Sequence, residues 1–231
     1  MKFELVIDSK PTEVVIALLK EGRLIELHKE KHDNNYSVGD IYLGKIKKIV
    51  PGLNAAFVGV GHEKDGFLHY LDLGSQLNSF KKFTDKTRTK KLNTASLKNF
   101  RKEKDTQKEG KIQDVVKSGD HLMLQVSKEP ISSKGPRLSA ELSFAGRYMV
   151  MIPFSDRVSI SQKIKSSEEK SRLKKLIHSI KPKGFGVIIR TVAEGKKVAE
   201  LDTDMKNLYK KWQIIFKKLK TATQYSIDAV F

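Results

Sequence analysis

Apolar and polar residues alternate with a period of two at the start of the chain. The alternation runs through residues 3–9 and 12–30, and it is broken at Lys10-Pro11 and at Glu21-Gly22. A period of two places alternate side chains on opposite faces of a strand, and Pro or Gly typically marks a turn. The pattern predicts three short strands in a β-meander, followed by a polar, turn-rich domain boundary over residues 31–40.

The same alternation returns after residue 40, in short segments that are separated by turns containing glycine. The segments are residues 41–50, 53–61, 65–70 and 121–129. Several short strands with such turns are typical of a small β-barrel. Gly44 and Gly59 lie inside predicted strands, where glycine often marks a bulge or a sharp bend.

A second globular part is predicted after residue 140, and it contains both strands and helices. Strands are predicted at residues 146–154, 156–164 and 183–193. A helix is predicted at 166–180, because Ser166 or Ser167 can cap it and Glu169 suits the capping-box position. Residues 200–222 predict an amphipathic helix, whose apolar stripe includes Met205, Leu208, Trp212, Ile215 and Leu219. The fold class is therefore α+β.

Composition adds a strong positive charge to this picture. Lys and Arg number 45 against 27 Asp and Glu, which gives a formal net charge of +18. Such an excess opposes compaction and favours a polyanionic partner. Nucleic acid is the first expectation and an anionic membrane surface is the second, while a role in solubility alone is the third alternative.

Several site and location classes are disfavoured by the sequence. There is no cysteine, which fits a reducing compartment and excludes disulfides and thiolate-metal sites within this chain. The six His residues show no metal-ligand spacing. The N-terminus lacks the features of a signal peptide, and no apolar run approaches the roughly 20 residues of a membrane span. We therefore expect a cytoplasmic protein without a membrane span.

Residues 74–111 separate two of the predicted barrel strands. They contain twelve Lys or Arg, only four acidic residues and few apolar ones. Such a composition cannot build its own core, so it predicts a mobile basic loop inserted in the barrel. The loop is interpreted as an electrostatic arm for phosphates, and an idle, solvated loop is the alternative.

Two phenylalanines in the predicted barrel suggest contacts with bases. Proteins bind single-stranded nucleic acid through exposed aromatic rings, on which bases stack, and through nearby cations. Phe57 and Phe67 lie on neighbouring predicted strands, and Lys45, Lys47 and Lys48 are close in sequence. Burial of both rings in the barrel core is the alternative, and periodicity alone favours it.

Longer motifs of the chain resemble one known family. In order, they are IYLGKIKKIVPGLNAAFVGVG, GFLH, KGPRLS, RYMVMIP, ISQKI and GFGVIIRTVAEG. Together and in this order, they resemble the N-terminal part of the bacterial ribonuclease E/G family. The resemblance implies a five-stranded oligonucleotide-binding (OB) barrel of the ribosomal S-one type over residues 36–140 and a 5′-end sensor domain over 141–223. It also implies that residues 1–35 and 224–231 belong to an RNase H-like subdomain.

The resemblance implies two binding sites for single-stranded RNA. In the family, the barrel binds the strand, which implies contacts at Phe57 and Phe67 with Lys134 beside them. The next domain of the family recognises a 5′-monophosphate. The matching positions are the backbone groups of Gly146 and Val150 and the side chains of Arg190 and Thr191.

The implied phosphate site has one departure and two alternative interpretations. Where the family often has Arg after the letters IS, this chain has Gln162 followed by Lys163. Either the phosphate pocket is weaker than in the family, or Lys163 supplies charge from a slightly different place. Arg190 could instead point into solvent at the end of a strand. Gly146 could be an ordinary turn glycine.

The resemblance implies no catalytic, cofactor-binding or metal-ligating residue in this chain. In the family, magnesium-assisted hydrolysis uses paired Asp residues of a later domain, and a cysteine pair further on shares zinc between subunits. Asp202 and Asp204 are expected only to cap a helix and complement its dipole. The complete family protein is expected to be a homo-oligomer, and this chain alone a monomer that does not cleave RNA.

Three functional hypotheses follow. The first is the RNA-binding region of an endoribonuclease that cuts single-stranded, A/U-rich RNA in rRNA processing and mRNA decay. The second is a stand-alone OB-fold RNA-binding module associated with translation or ribosomes. The third, weaker hypothesis is binding of an anionic membrane or polyphosphate through residues 74–111. A longer reading frame with paired Asp residues and a Cys-x-x-Cys motif would favour the first.

Overall fold

The computed structural model describes residues 2–10, 13–31, 36–61, 63–131 and 134–222. The contacts divide the chain into two compact units, which meet between Tyr36 and Ser37. Residues 224–231, which the resemblance assigns to the RNase H-like subdomain, lie outside the described residues. No helix in the described ranges is long and apolar enough to cross a membrane.

The N-terminal unit is an antiparallel three-stranded sheet in the order β1-β2-β3, as the alternation predicts. Glu21 and Gly22 both adopt positive φ angles, of 50° and 75°. Two such residues form the tight turn that matches the twist of a β-hairpin. Apolar side chains of β1 and β3 remain largely exposed, including Leu5, Ile7 and Leu27. The strand bounds are β1 Phe3–Lys10, β2 Glu13–Lys20 and β3 Arg23–Lys31.

The second unit begins with a closed five-stranded barrel in the order β4-β5-β6-β8-β7. Gly44 faces the barrel interior, because a Cβ atom there would lie 2.6 Å from Val58 Cγ1. The register of β4 against β5 shifts between Ile46 and Lys48, and not at Gly44 or Gly59, where the sequence suggested a bulge or bend. The strands are β4 Ile41–Val50, β5 Ala55–Gly59, β6 Gly66–His69, β7 His121–Lys128 and β8 Arg137–Ser139.

The prediction of a mobile basic loop over residues 74–111 is wrong. Residues Leu77–Arg88 form helix α1, and Phe80 and Phe83 of this helix are buried. Ala95 and Leu97, in the irregular stretch that follows, are buried as well. A few apolar side chains at helical spacing pack this segment against a hydrophobic core that is formed with the rest of the chain. Its charged residues lie mostly at the surface.

The remaining elements form a second sheet with two long helices. The sheet has the order β11-β12-β10-β9, and only the β11–β12 pair is parallel. The Ser166 side chain accepts a hydrogen bond from the Glu169 N–H and caps α3, as predicted. The bounds are α2 Ile112–Val115, β9 Phe144–Ala145, β10 Met149–Pro153, β11 Val158–Ile160, α3 Ser167–Ile180, β12 Phe185–Ile189 and α4 Val198–Thr221.

One hydrophobic core joins the barrel, the inserted segment and the second sheet. Trp212 of α4 is fully buried at its centre, and the ring of Phe83 lies 4.9 Å from it between centroids. The indole N–H of Trp212 donates to the Ala95 carbonyl oxygen at 2.7 Å, so the buried donor is satisfied. The predicted apolar stripe of α4 is confirmed, because all five of its residues are buried.

Candidate nucleic-acid interface

Two phenylalanine rings lie side by side on the outer surface of the barrel. Phe57 of β5 and Phe67 of β6 are directly opposite in the antiparallel register, with ring centroids 5.9 Å apart. Both side chains are half-buried, whereas their neighbours Ala56, Val58 and Leu68 are fully buried. Since side chains alternate between the two faces of a strand, the neighbours fill the barrel and the rings face outward. The alternative that both rings belong to the core is wrong.

The rings line an open cleft with a volume of about 690 Å³. We call it the barrel cleft, and it is lined by Leu53, Phe57, Lys64, Asp65, Phe67, Lys134, Gly135 and Arg137. Apolar rings beside cations suit a ligand that carries both flat bases and phosphates.

The return of strand β8 brings the basic residues to the rings. Strand β8 runs parallel to β6, with Arg137 opposite Phe67, and the Phe67 N–H donates to the Pro136 oxygen at 2.8 Å. Gly135 permits this approach, because a Cβ atom there would collide with the backbone carbonyl of Asp65. Lys134 is therefore placed in the cleft, as the resemblance implies.

The cations of the barrel cleft differ in availability. Arg137 holds Asp72 through two hydrogen bonds, from Nε at 3.0 Å and from Nη2 at 3.2 Å. Lys47 lies across Gly59, and its Nζ is 2.5 Å from Asp65 Oδ1. Lys134 is exposed and has no carboxylate partner within the described ranges. An ion pair must be broken before Lys47 or Arg137 can bind another anion, so Lys134 is the more available cation.

Lys45 lies beside the cleft rather than in its lining. It is opposite Gly59 of β5 on one side and opposite His121 of β7 on the other. Of the predicted RNA contacts, the structure thus brings together Phe57, Phe67 and Lys134. Lys47 reaches that group only through its ion pair with Asp65.

The residues implied for the 5′-phosphate site cluster at one end of the second sheet. We call four of the implied residues, Gly146, Lys163, Arg190 and Thr191, together with the neighbouring Ser161, the phosphate patch. The side chain of Arg190 donates from Nη1 to the Gly146 carbonyl oxygen at 2.7 Å, and its backbone N–H donates to the Tyr148 oxygen. Arg190 therefore does not simply extend into solvent, although its side chain is exposed.

The turn that follows Gly146 is held by the carboxylate of Asp204 from α4. The two oxygens of Asp204 accept hydrogen bonds from the backbone N–H groups of Arg147 at 3.2 Å and Tyr148 at 2.8 Å. A Cβ atom at Gly146 would lie 2.6 Å from Asp204 Oδ2, so a larger residue at this position would displace the carboxylate. The Gly146 N–H already donates to the Met149 oxygen at 2.8 Å. Both polar backbone groups of Gly146 are thus used within the fold.

The other residues of the implied site make their own contacts at this end of the sheet. Thr191 Oγ1 and Ser161 Oγ are 2.9 Å apart and share a hydrogen bond. Lys163 is exposed, and its backbone N–H donates to the same serine hydroxyl at 3.4 Å. Val150 lies on β10 inside the sheet, opposite Ile188 and Ala145. The structure brings Arg190 to Gly146 and Thr191 to Ser161, and it places Val150 on the adjoining strand.

Sequence reasoning missed the structural role of two residues. Asp204 was expected to cap α4, but the helix begins at Val198 and Asp204 lies in its second turn. Asp202 pairs with Lys206 at 2.5 Å, one turn further along the helix. Ser161 was also missed, although it stands beside Lys163 in the quoted ISQKI motif. Neither residue has a local sequence signal, because each acts on a distant segment.

Across residues 2–10, 13–31, 36–61, 63–131 and 134–222, no group of three or more His, Asp or Glu side chains is arranged to hold a metal ion.

Comparison with known proteins gives consistent relatives. Residues 143–228 match the sequence model of the Ribonuclease E/G family. Ribonuclease G of Haemophilus influenzae is 33% identical over 225 residues, which are 97% of this chain and 42% of that protein. Ribonuclease G of Escherichia coli is 33% identical over 228 residues, 98% of this chain and 43% of that protein. Ribonuclease E of Nostoc sp. is 35% identical over 202 residues, 87% of this chain and 25% of that protein. The chain spans about two-fifths of the length of these ribonuclease G relatives.

Proposed function

Because this chain belongs to the ribonuclease E/G family, we propose that it is the RNA-binding region of an endoribonuclease and that its barrel binds single-stranded RNA. The observation that carries the proposal is the outward-facing pair of Phe57 and Phe67, with the exposed Lys134 beside it. The barrel is then of the OB type, with the barrel cleft as its RNA-binding face.

Partial exposure of two aromatic rings to water costs this barrel part of the free energy that their burial would supply. Burial of a Phe side chain is worth about 1.5–3 kcal/mol, and this barrel leaves two rings only half-buried. A base that stacks on such a ring contributes roughly 1–3 kcal/mol, and it requires a strand whose bases are unpaired. Lys134 and the net charge of +18 supply attraction to the phosphates.

The phosphate patch is the proposed sensor of the RNA 5′ end. Arg190 now donates to a neutral carbonyl, and a charged phosphate is a stronger acceptor for the same group. Thr191 and Lys163 lie on the same side of the site and offer a hydroxyl and a second positive charge. Because the N–H of Gly146 is engaged, the side chains of Arg190 and Thr191 supply the main contacts. A 5′-hydroxyl lacks the charge that these groups bind.

The activity of the whole protein is also a proposal. We expect it to cut single-stranded RNA in a magnesium-dependent hydrolysis, in the cytoplasm, during rRNA processing and mRNA decay, and to work as a zinc-linked homo-oligomer. The residues that hydrolyse RNA then lie in the part of the relatives that this chain does not span. This chain alone binds RNA without cleaving it.

Fluorescence anisotropy with a short single-stranded RNA tests the barrel assignment. Phe57→Leu keeps an apolar side chain but removes the flat ring, so the affinity should fall by about tenfold. Phe3→Leu is the matched control, since Phe3 is 55% exposed but lies in the N-terminal sheet. Equal affinities of the two variants would show that the barrel cleft does not stack bases.

A further inference from the structure

Positive charge is concentrated on two helices that the proposed function does not use. Residues 77–91, which contain α1, carry six Lys or Arg and one acidic residue. The stretch from Lys206 to Thr221 of α4 carries six Lys and no acidic residue. Most of these side chains are exposed or half-buried.

The C-terminal ends of α1 and α4 lie together. Phe83 of α1 packs against Trp212 and Phe216 of α4, with ring centroids 4.9 Å and 5.9 Å apart. One turn further along, a cleft of about 340 Å³ is lined by Asp85, Arg88, Thr89, Leu219, Lys220 and Ala222. The cations Arg88 and Lys220 thus border the same cleft. Arg88 has no carboxylate partner within 4.0 Å among the described residues.

The charged region continues from this cleft to the barrel. His121 of β7 is opposite Lys45 of β4. Burial, with the positive charges of Arg88 and Lys45, lowers the pKa of His121, while Asp120 and Asp85 oppose the shift. Helix α1, whose last residue is Arg88, contacts β7, and Lys45 is directly opposite His121, so both cations lie on elements that adjoin His121. We call Lys45, His121, Arg88 and Lys220 the basic band.

Helix-terminal cations have an ordinary structural role that must be separated from binding. Lys or Arg in the last turn of a helix stabilises the carbonyl end by typically 0.3–1 kcal/mol, and Arg88 and Lys220 occupy such positions. This effect does not explain Lys45, which lies on a strand, or Lys90 and Lys91, which follow α1. The number of cations exceeds what two helix ends require.

Among the residues that the structure describes, the basic band offers cations but no aromatic surface for bases. Phe83 is fully buried, and Phe216 is 6% exposed with Lys220 Nζ 5.0 Å from its ring centre. A surface of this kind attracts phosphates without reading or stacking bases, and the backbone of an RNA helix presents phosphates in that way.

We propose that Lys45, Arg88 and Lys220 form a second phosphate-binding surface, which holds the backbone of an RNA stem next to the single strand in the barrel cleft. The placement agrees with the fold, since Lys45 is opposite Gly59, across which Lys47 reaches Asp65 of the cleft. The proposal rests on the proposed RNA-binding function and adds the structured part of the substrate.

The test compares three RNAs: a hairpin with a single-stranded tail, the tail alone and the blunt hairpin alone. Arg88→Gln/Lys220→Gln should weaken binding of the tailed hairpin by about tenfold. It should lower the dependence of log affinity on log salt by about 2, or about 1 for each lost phosphate contact. Binding of the tail alone should change by less than about twofold. Lys174→Gln/Lys175→Gln on the exposed face of α3 removes the same charge and is the control.

A second readout does not depend on how well the variants fold. In the wild-type chain, NMR titration of His121 should show a higher pKa when the blunt hairpin is bound, because phosphates offset the charges of Arg88 and Lys45.

An unchanged His121 pKa, or equal losses in the band and control variants, would overturn the stem proposal while leaving the barrel proposal intact. Loss of tail binding alone in Phe57→Leu would support the barrel independently. Competition by polyglutamate as strong as that by hairpin RNA would also overturn the proposal, since the surface would then accept any polyanion.

Discussion

The barrel cleft and the phosphate patch belong to the same compact unit, but they differ in how their functional groups are satisfied without a ligand. In the cleft, Phe57, Phe67 and Lys134 remain accessible to solvent and make few contacts that a ligand would have to replace. In the patch, Arg190 binds the Gly146 carbonyl and Thr191 binds Ser161. A preformed apolar surface can therefore bind a ligand by adding new contacts, without first breaking contacts of its own. A preformed polar site must exchange one hydrogen bond for another.

The largest expected effect comes from removing both rings of the barrel cleft. The double variant Phe57→Ala and Phe67→Ala should lower the affinity for single-stranded RNA by at least about thirtyfold, because each stacked base contributes roughly 1–3 kcal/mol. RNAs with a 5′-monophosphate and with a 5′-hydroxyl should lose equally in anisotropy titrations. A loss confined to the monophosphate RNA would contradict the division of roles between cleft and patch.

Replacement of Arg190 tests the phosphate patch. Arg190→Ala should remove the preference for a 5′-monophosphate, a change of about tenfold in affinity, since hydrogen bonds to charged groups are worth about 1.5–3 kcal/mol. Binding of 5′-hydroxyl RNA should remain close to that of the wild type. Arg157→Ala, which removes an exposed arginine just before β11, is the control. If it abolished the preference as well, the effect would be one of general charge.

A smaller effect is expected from Asp204, whose carboxylate holds the backbone turn beside the phosphate patch. Asp204→Asn should lower the free energy of unfolding by about 1–2 kcal/mol, because two backbone N–H groups lose a charged acceptor. Urea denaturation measures this change. Asp202→Asn is the control, since its exposed pair with Lys206 is worth less than about 1 kcal/mol. Similar losses in both variants would argue against the special role of Asp204.

The smallest effect concerns stability away from both surfaces. Glu169 accepts hydrogen bonds from Arg172 and from the Gly195 N–H, which lower the pKa of Glu169 to about 2. A carboxyl group with a lowered pKa stabilises the folded state above its unfolded pKa of 4.5, and this stabilisation is lost as the pH falls towards 2. The difference in unfolding free energy between wild type and Glu169→Gln should therefore be greatest above pH 5 and shrink towards pH 2. A pH-independent difference would mean that ionisation of Glu169 does not contribute. RNA binding at pH 7 should be unaffected.

The local elements and one half of the candidate site could be predicted from the amino-acid sequence alone. Alternation of period two predicted the N-terminal meander and four of the five barrel strands but not β8, and helical spacing predicted the buried stripe of α4 around Trp212. Phe57 and Phe67 were singled out because two rings on adjacent strands can share a face. The strands and the helical stripe depend on residues close in sequence, so periodicity reports them directly. For the two rings, periodicity alone favoured burial in the core, and the folded structure shows them half-buried on the outer face.

The partners of the polar groups and the position of the basic insertion became clear only from the tertiary structure. The composition of residues 74–111 predicts a solvated loop, yet Phe83 of that segment packs on Trp212, more than a hundred residues away. The pairs Arg190 with Gly146 and Asp204 with the 146–148 turn likewise join distant segments. Periodicity contains no information about such pairs. A few buried side chains or one carboxylate decide them, through packing and hydrogen bonds that exist only when the chain is folded.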